Sequence, residues 1–283
     1  MASIRPLLLL TTVVMLAGCD IVNDPIPPGT TGNGGGQVDG IQRRILLEDL
    51  TGHRCNNCPR AARLAADLKN LYGDQLILVG VHTGGFAAPL PPLGDGFYDT
   101  DFRTPAGTAY SNAFQVMFYP AGMVNRRSYS GSPVLAENSW GSAVADMAGD
   151  TSPFELWFES ITTGANTVST VIKLRIAEAV EGDHNLVVYL TEDHVIDWQL
   201  DSDATPPDVP DYEHRHVLRA NLNDTWGVPV VTGSAAAGDT ITLSYDNFSM
   251  NPAWVQDNCA LVAYVYNVAT DEVMQAAERK FVP

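Results

Sequence analysis

The stretch from Arg44 to Val81 does most to limit the fold, because it reads as strand, turn, helix and strand in that order. Arg44-Ile45-Leu46-Leu47-Glu48 is a short apolar run, the mark of a buried strand. Leu50-Thr51-Gly52-His53-Arg54 follows as a turn. From Cys58 to Tyr72 the apolar residues Ala61, Leu64, Ala65, Leu68 and Leu71 recur at helical spacing. Leu76-Ile77-Leu78-Val79-Gly80-Val81 is a second buried run. Further helices are expected over 110–117 and 135–147, with a strand over 123–126 after Pro120. Alternating strands and helices imply an α/β layer fold for residues 41–150.

Residues 151–283 change character. Phe154–Thr162 is strand-like, and in Val171–Ala177 the residues Ile172, Leu174 and Ile176 face one way while Lys173 and Arg175 face the other. Further runs fall at 186–190, 212–218, 240–245, 260–266 and 273–281. About seven short strands separated by turn residues predict an all-β sandwich, immunoglobulin-like in class.

The N-terminus predicts export. Arg5 is the only charge before Asp20, and Leu7–Leu16 is apolar apart from Thr11 and Thr12. That run is shorter than the roughly 20 residues a spanning helix needs, and it has the form of a secretory signal. It ends Leu16-Ala17-Gly18-Cys19, which resembles the bacterial lipobox. The resemblance implies a signal peptide over 1–18 and lipidation of Cys19, so the expected partner is a membrane. It also implies a cell-envelope address, expected at the outer membrane, on its periplasmic face or at the cell surface, with the inner membrane as the alternative, because Asp20 directly after the cysteine favours retention there in some bacteria. Residues 19–40 are rich in Pro, Gly, Thr and Asn and read as a flexible tether.

The formal charge of −17 makes nucleic acid and anionic membrane surfaces poor partners. The charge is uneven. Residues 41–70 hold six basic groups against three acids, whereas 181–271 hold fifteen acids against Arg215 and Arg219.

Besides Cys19 there are three cysteines. Cys55 and Cys58 form Cys-Asn-Asn-Cys, and an oxidising compartment permits a disulfide between them. Cys55 is expected to open the helix. There the free backbone N–H groups favour an anion and lower a thiol pKa. His53 and Arg54 would add positive charge and stabilise the thiolate. Cys55 is then the exposed attacking sulfur and Cys58 the buried resolving one. No cofactor is expected, only a redox partner. The alternative is a structural disulfide in a non-enzymatic lipoprotein that binds a protein, glycan or cation.

The segment ILLEDLTGHRCNNC resembles the thioredoxin superfamily. The resemblance implies that Asp49 relays protons to Cys58. It also implies that Pro120, ending Phe114-Gln115-Val116-Met117-Phe118-Tyr119-Pro120, is a cis-proline beside the disulfide that holds an extended peptide or protein substrate. The match covers residues 41–150. It departs at Arg54, where a Trp is usual, at Asn56-Asn57, where Gly-Pro is usual, and at the insertion 84–105, expected to be a surface loop. More widely, the lipobox, TGHRCNNCP and DYEHRHVLR before a β-rich end resemble the outer membrane protein twenty-eight family of lipoproteins.

Other groupings carry weaker expectations. No metal is expected, although His214 and His216 would share a face of one strand, with Glu192, His194 or Glu213 in reach. Asp201, Asp203, Asp208 and Asp211 read as a solvated acidic loop, with calcium as the alternative. Cys259 reads as a buried small residue. His82 ends a strand near the dithiol and reads as structural.

Overall fold

The computed structural model describes residues 40–282, so the leader, Cys19 and the tether through residue 39 lie outside the described residues. Ile45–Thr51 is a strand buried at every position. It runs parallel to Leu76–His82, also buried throughout, with Ile45 opposite Leu76 and Thr51 opposite His82. Strands covered on both faces need no polar alternation, which is why both read as continuous apolar runs. Helix α1 (Cys58–Tyr72) makes the crossover between them. On its other side Ile45–Thr51 pairs antiparallel with Ala121–Val124, placing Leu50 opposite Ala121.

Helix α2 (Pro105–Ala113) begins earlier than the apolar spacing suggests. Thr104 caps it by accepting from the Gly107 N–H at 2.9 Å, and Pro105 suits the first turn. The strand after Pro120 stops at Val124, because Asn125 and Arg126 adopt φ of 48° and 52°. Helix α3 (Trp140–Met147) is preceded by a 3-10 turn over Glu137–Ser139, so its first expected turn is wound more tightly.

The largest sheet has eight strands and runs across the boundary expected at residue 150. Its order is Val273–Lys280, Cys259–Asn267, His184–Glu192, Val217–Asn221, Leu76–His82, Ile45–Thr51 and Ala121–Val124, with Val228–Val231 also paired to His184–Glu192. The join is narrow. Val217 faces Gly80 in parallel, and the Gly80 N–H donates to His216 O at 2.8 Å. A Cβ on Gly80 would stand 3.3 Å from Arg215 O, so the missing side chain lets the two strands approach. The α/β part and the β part thus share a sheet.

Residue alternation sorts the core. Ile172, Leu174 and Ile176 are buried as expected and pack with Leu186, Val188, Leu261, Ala263 and Val265. They belong to a three-stranded sheet, Phe154–Gly164, Thr167–Ile176 and Thr240–Ser249, which forms the sandwich with the large sheet. Ile45, Leu47, Leu76 and Leu78 pack against the helical residues Ala61, Ala65, Trp140 and Val144. A third cluster joins Leu46, Ile77 and Val79 to Tyr189, Val262 and Tyr264, so residues from before and after 150 share one core.

The strand expected over 212–218 is two strands. Asp208–His214 and Val217–Asn221 are separated at His216, whose φ is 53°. Asp208–His214 folds back on Val195–Leu200 as a two-stranded hairpin that stands apart from the large sheet.

Candidate functional site

Cys55 and Cys58 are joined as a disulfide. Their placement differs from the expectation in two ways. Cys58, not Cys55, opens α1; Asn56 and Asn57 complete a turn in which the Cys58 N–H donates to Cys55 O at 3.2 Å. Cys55 is also not exposed, retaining 3% of its accessible surface against 1% for Cys58. The cover comes from the hairpin. Gln199 Nε2 donates to Cys55 O at 3.1 Å, the Leu200 N–H to His53 O at 2.8 Å and the Ser202 N–H to Asn56 O at 2.9 Å. Nothing in the sequence around Val195–Leu200 marks it as a cover, because the run mixes apolar and polar residues.

His53 does not supply the positive charge expected of it. Its ring is buried, stacked on Tyr98 at 5.4 Å and edge-on to Phe102 at 5.4 Å. Burial pushes its pKa down to about 4, so it is neutral at pH 7. The Arg54 backbone N–H donates to Phe86 O at 3.0 Å and its guanidinium to Gly85 O at 2.5 Å.

Asp49 is nine-tenths buried, and its Oδ1 has no hydrogen-bond partner. Burial, reinforced by the Glu137 carboxylate, pushes its pKa up to about 8. It lines one small cavity with Cys58, His82, Gln199, Tyr212 and His214. A larger cavity beside α1 shares Asp49, Ala62, Gly80, Tyr212 and Arg215 with it. The acid, the second cysteine and His82 therefore meet at one space, and His82 is a neighbour of the dithiol. The Tyr119–Pro120 bond is cis, and Pro120 immediately precedes the strand whose Ala121 stands opposite Leu50.

His214 lies in an aromatic cluster, 5.0 Å from Phe102, 4.8 Å from Tyr212 and 5.5 Å from His82 between ring centroids. Burial pushes His214 down to about 4, and His82 falls well below the usual histidine range for the same cause. His216 instead sits 3.3 Å from Asp193 Oδ1. The positive φ at His216 breaks the strand alternation on which a shared face for the two histidines depended. Glu192 pairs with Arg219 at 2.7 Å and His194 with Glu213, and no group of three metal-ligating side chains occurs among the described residues.

The acidic loop is not simply solvated. Asp201 is buried and pairs with Arg63 at 2.8 Å, Asp203 pairs with the same guanidinium, and Asp208 accepts from Tyr98 OH at 3.0 Å. The 84–105 insertion is likewise more than a surface loop, since Tyr98 and Phe102 are buried and Phe97 packs on Trp198 at 4.8 Å. Cys259 is a buried free thiol, as its apolar neighbours suggest.

The family model for outer membrane protein Omp28 matches residues 107–282. The chain belongs to the Omp28 family. Membership places it in the bacterial cell envelope, at the outer membrane. The matched region of this Omp28-family chain begins inside α2 and leaves the Cys55–Cys58 segment outside it. Among solved structures, the chain is similar to HBP35 of Porphyromonas gingivalis at 16% identity and a TM-score of 0.61, over 86% of this chain and 76% of that one. A domain of the outer membrane lipoprotein Omp28 from Porphyromonas gingivalis matches at 21% identity and a TM-score of 0.32, over 47% of this chain and 92% of that one. No curated protein matches. Among the described residues no helix is long and apolar enough to cross a membrane.

Proposed function

We propose that this chain is a lipoprotein, anchored through Cys19, whose thioredoxin-like part exchanges thiols and disulfides with envelope or surface proteins. The observation that carries the reading is Asp49. A carboxyl held nine-tenths buried, with Oδ1 unpartnered, beside Cys58 is costly to the fold. A disulfide that only braces the structure has no use for such a group. A carboxyl with a pKa near 8 is suited to accept and return a proton at neutral pH. The cis Tyr119–Pro120 bond, and a helix that leaves the strand through Cys-Asn-Asn-Cys, support the same reading.

In the reducing direction, the Cys55 thiolate attacks one sulfur of a client disulfide. The client S–S bond breaks and its other sulfur leaves as a thiolate. Asp49 takes the Cys58 proton, and the Cys58 thiolate attacks Cys55. The second client thiolate leaves, and Cys55–Cys58 is oxidised. A thiol partner must then return the pair to the dithiol. The same steps reversed oxidise a client dithiol.

The burial of Cys55 favours a second reading, a non-enzymatic envelope lipoprotein in which the disulfide braces the loop under the hairpin. Insulin reduction, or reactivation of a scrambled disulfide protein, separates the two. The exchange reading expects turnover by the wild-type protein and none by Cys55→Ser. Equal performance by the two proteins removes it.

A further inference from the structure

We propose that the Val195–His214 hairpin is a latch over the dithiol, closed in cis on a surface that an extended client polypeptide takes when it opens. Three carbonyls of the Cys-Asn-Asn-Cys loop, those of His53, Cys55 and Asn56, are all satisfied by hairpin donors: the Leu200 N–H, Gln199 Nε2 and the Ser202 N–H. Ser202 Oγ also lies 3.4 Å from Asn57 Oδ1. Residues 199–202 therefore lie across residues 53–57 as a donor-bearing strip. An unfolded client has the same backbone N–H groups and can replace two of the three donors directly.

The hairpin is built to detach. Its two strands pair only with each other, so opening breaks no bond of the large sheet. What fastens it is the packing of His214 on Phe102 and His82 and of Trp198 on Phe97, together with polar side-chain contacts on two flanks. Arg63 on α1 holds Asp201 and Asp203 on one side. Tyr98 and Thr100 of the 84–105 insertion hold Asp208 and Asp197 on the other. The Arg63 pairs are partly exposed, with about half of the arginine side chain in solvent. Such pairs are weak and salt-sensitive, which suits a contact that must release. The local excess of basic residues around the cysteines and of acids beyond residue 180 finds one use in this contact.

The latch gains its purpose from the exchange reading, on which it rests, but the two are tested by different measurements. The latch is tested by the rate at which dithiothreitol, a small neutral reductant, opens the Cys55–Cys58 disulfide, followed by alkylation and mass. Arg63→Ala is expected to raise that rate roughly fivefold, the factor by which losing a partly exposed ion pair shifts an opening equilibrium. Half-molar salt is expected to speed the wild-type protein and leave Arg63→Ala unchanged. Leu200 and Ser202 amides are expected to lose hydrogen-exchange protection when reduced, fully alkylated lactalbumin is added as an unfolded probe. A wild-type rate that equals that of Arg63→Ala and ignores salt overturns the latch, as does protection at Leu200 and Ser202 unmoved by the probe. Insulin turnover decides the exchange reading independently. A disulfide that opens faster in Arg63→Ala without turning over insulin keeps the latch and removes the enzyme.

Discussion

Arg126 grips Glu48 through two parallel hydrogen bonds, Nε to Oε2 at 2.8 Å and Nη2 to Oε1 at 2.7 Å, with both side chains almost wholly out of solvent. The same guanidinium donates to Tyr189 OH at 3.0 Å and Tyr264 OH at 2.8 Å, and lies 4.6 Å from the centre of the Tyr110 ring. One side chain thus ties strands from both ends of the chain. Arg126→Met is expected to leave Glu48 buried and unpaired, and to lower stability by about 3–5 kcal/mol. Urea unfolding of the two proteins at pH 7 measures the difference.

Asp49 should shape stability on the alkaline side. Its folded pKa of about 8 lies above the unfolded carboxyl value, so between about pH 4 and 8 the folded state binds the extra proton. Stability contributed by that proton is complete at low pH and is lost as pH rises, at about 1.4 kcal/mol per pH unit. Asp49→Asn is expected to match the wild type near pH 4 and to exceed it near pH 8. Urea midpoints across that range provide the measurement, and a constant difference between the proteins would falsify the account.

The histidines act in the opposite sense. His53, His82 and His214 are neutral in the fold, with His53 and His214 pushed down to about 4. Below the unfolded value of about 6.5 the unfolded chain binds protons that the folded one refuses. Stability is therefore expected to climb from pH 4 to about 6.5 and then to decline toward pH 8 as Asp49 ionises. The prediction is checked by the pH of the maximum, which Asp49→Asn is expected to move upward.

Gly52 lies where the cysteine loop meets the insertion. A Cβ there would fall 2.6 Å from the Phe86 carbonyl carbon and 2.7 Å from the Ala87 nitrogen, both rigid backbone atoms. Gly52→Ala is expected to push the 85–87 segment away and break the bond from the Arg54 N–H to Phe86 O. Loss of hydrogen-exchange protection at the Arg54 amide, with slow exchange retained in the Leu76–His82 strand, is the expected outcome.

Much of the fold was legible because short-range chemistry decides it. The runs at 44–48 and 76–81, the spacing of Ala61, Ala65 and Leu68, and the alternation through Ile172, Leu174 and Ile176 each report burial of their own segment, although the first strand continues through Leu50 and Thr51, which read as turn. Partnership is different. Nothing local tells Val217 that it will lie beside Gly80 rather than in a separate sandwich, since a buried strand reads alike in either sheet. The site shows the same division. The neighbourhood of Asp49 and Cys58 followed from a strand, a turn and a helix close together in sequence. The burial of Cys55 did not, because the residues that cover it, Gln199 to Ser202, come some 140 positions later in the chain. His53 looked cationic in sequence for a similar reason: Tyr98 and Phe102, which desolvate it, sit in an insertion whose fold the sequence left open.

The seam between Gly80 and His216 bears on how such a chain can be recombined. Either half grafted onto foreign material would carry a raw strand edge and half of the pooled Leu46–Tyr264 interior. Chimeras among relatives should therefore fare poorly at any crossover between 81 and 215, the cut near residue 150 included, because each such crossover assigns the two lips of the seam to different parents.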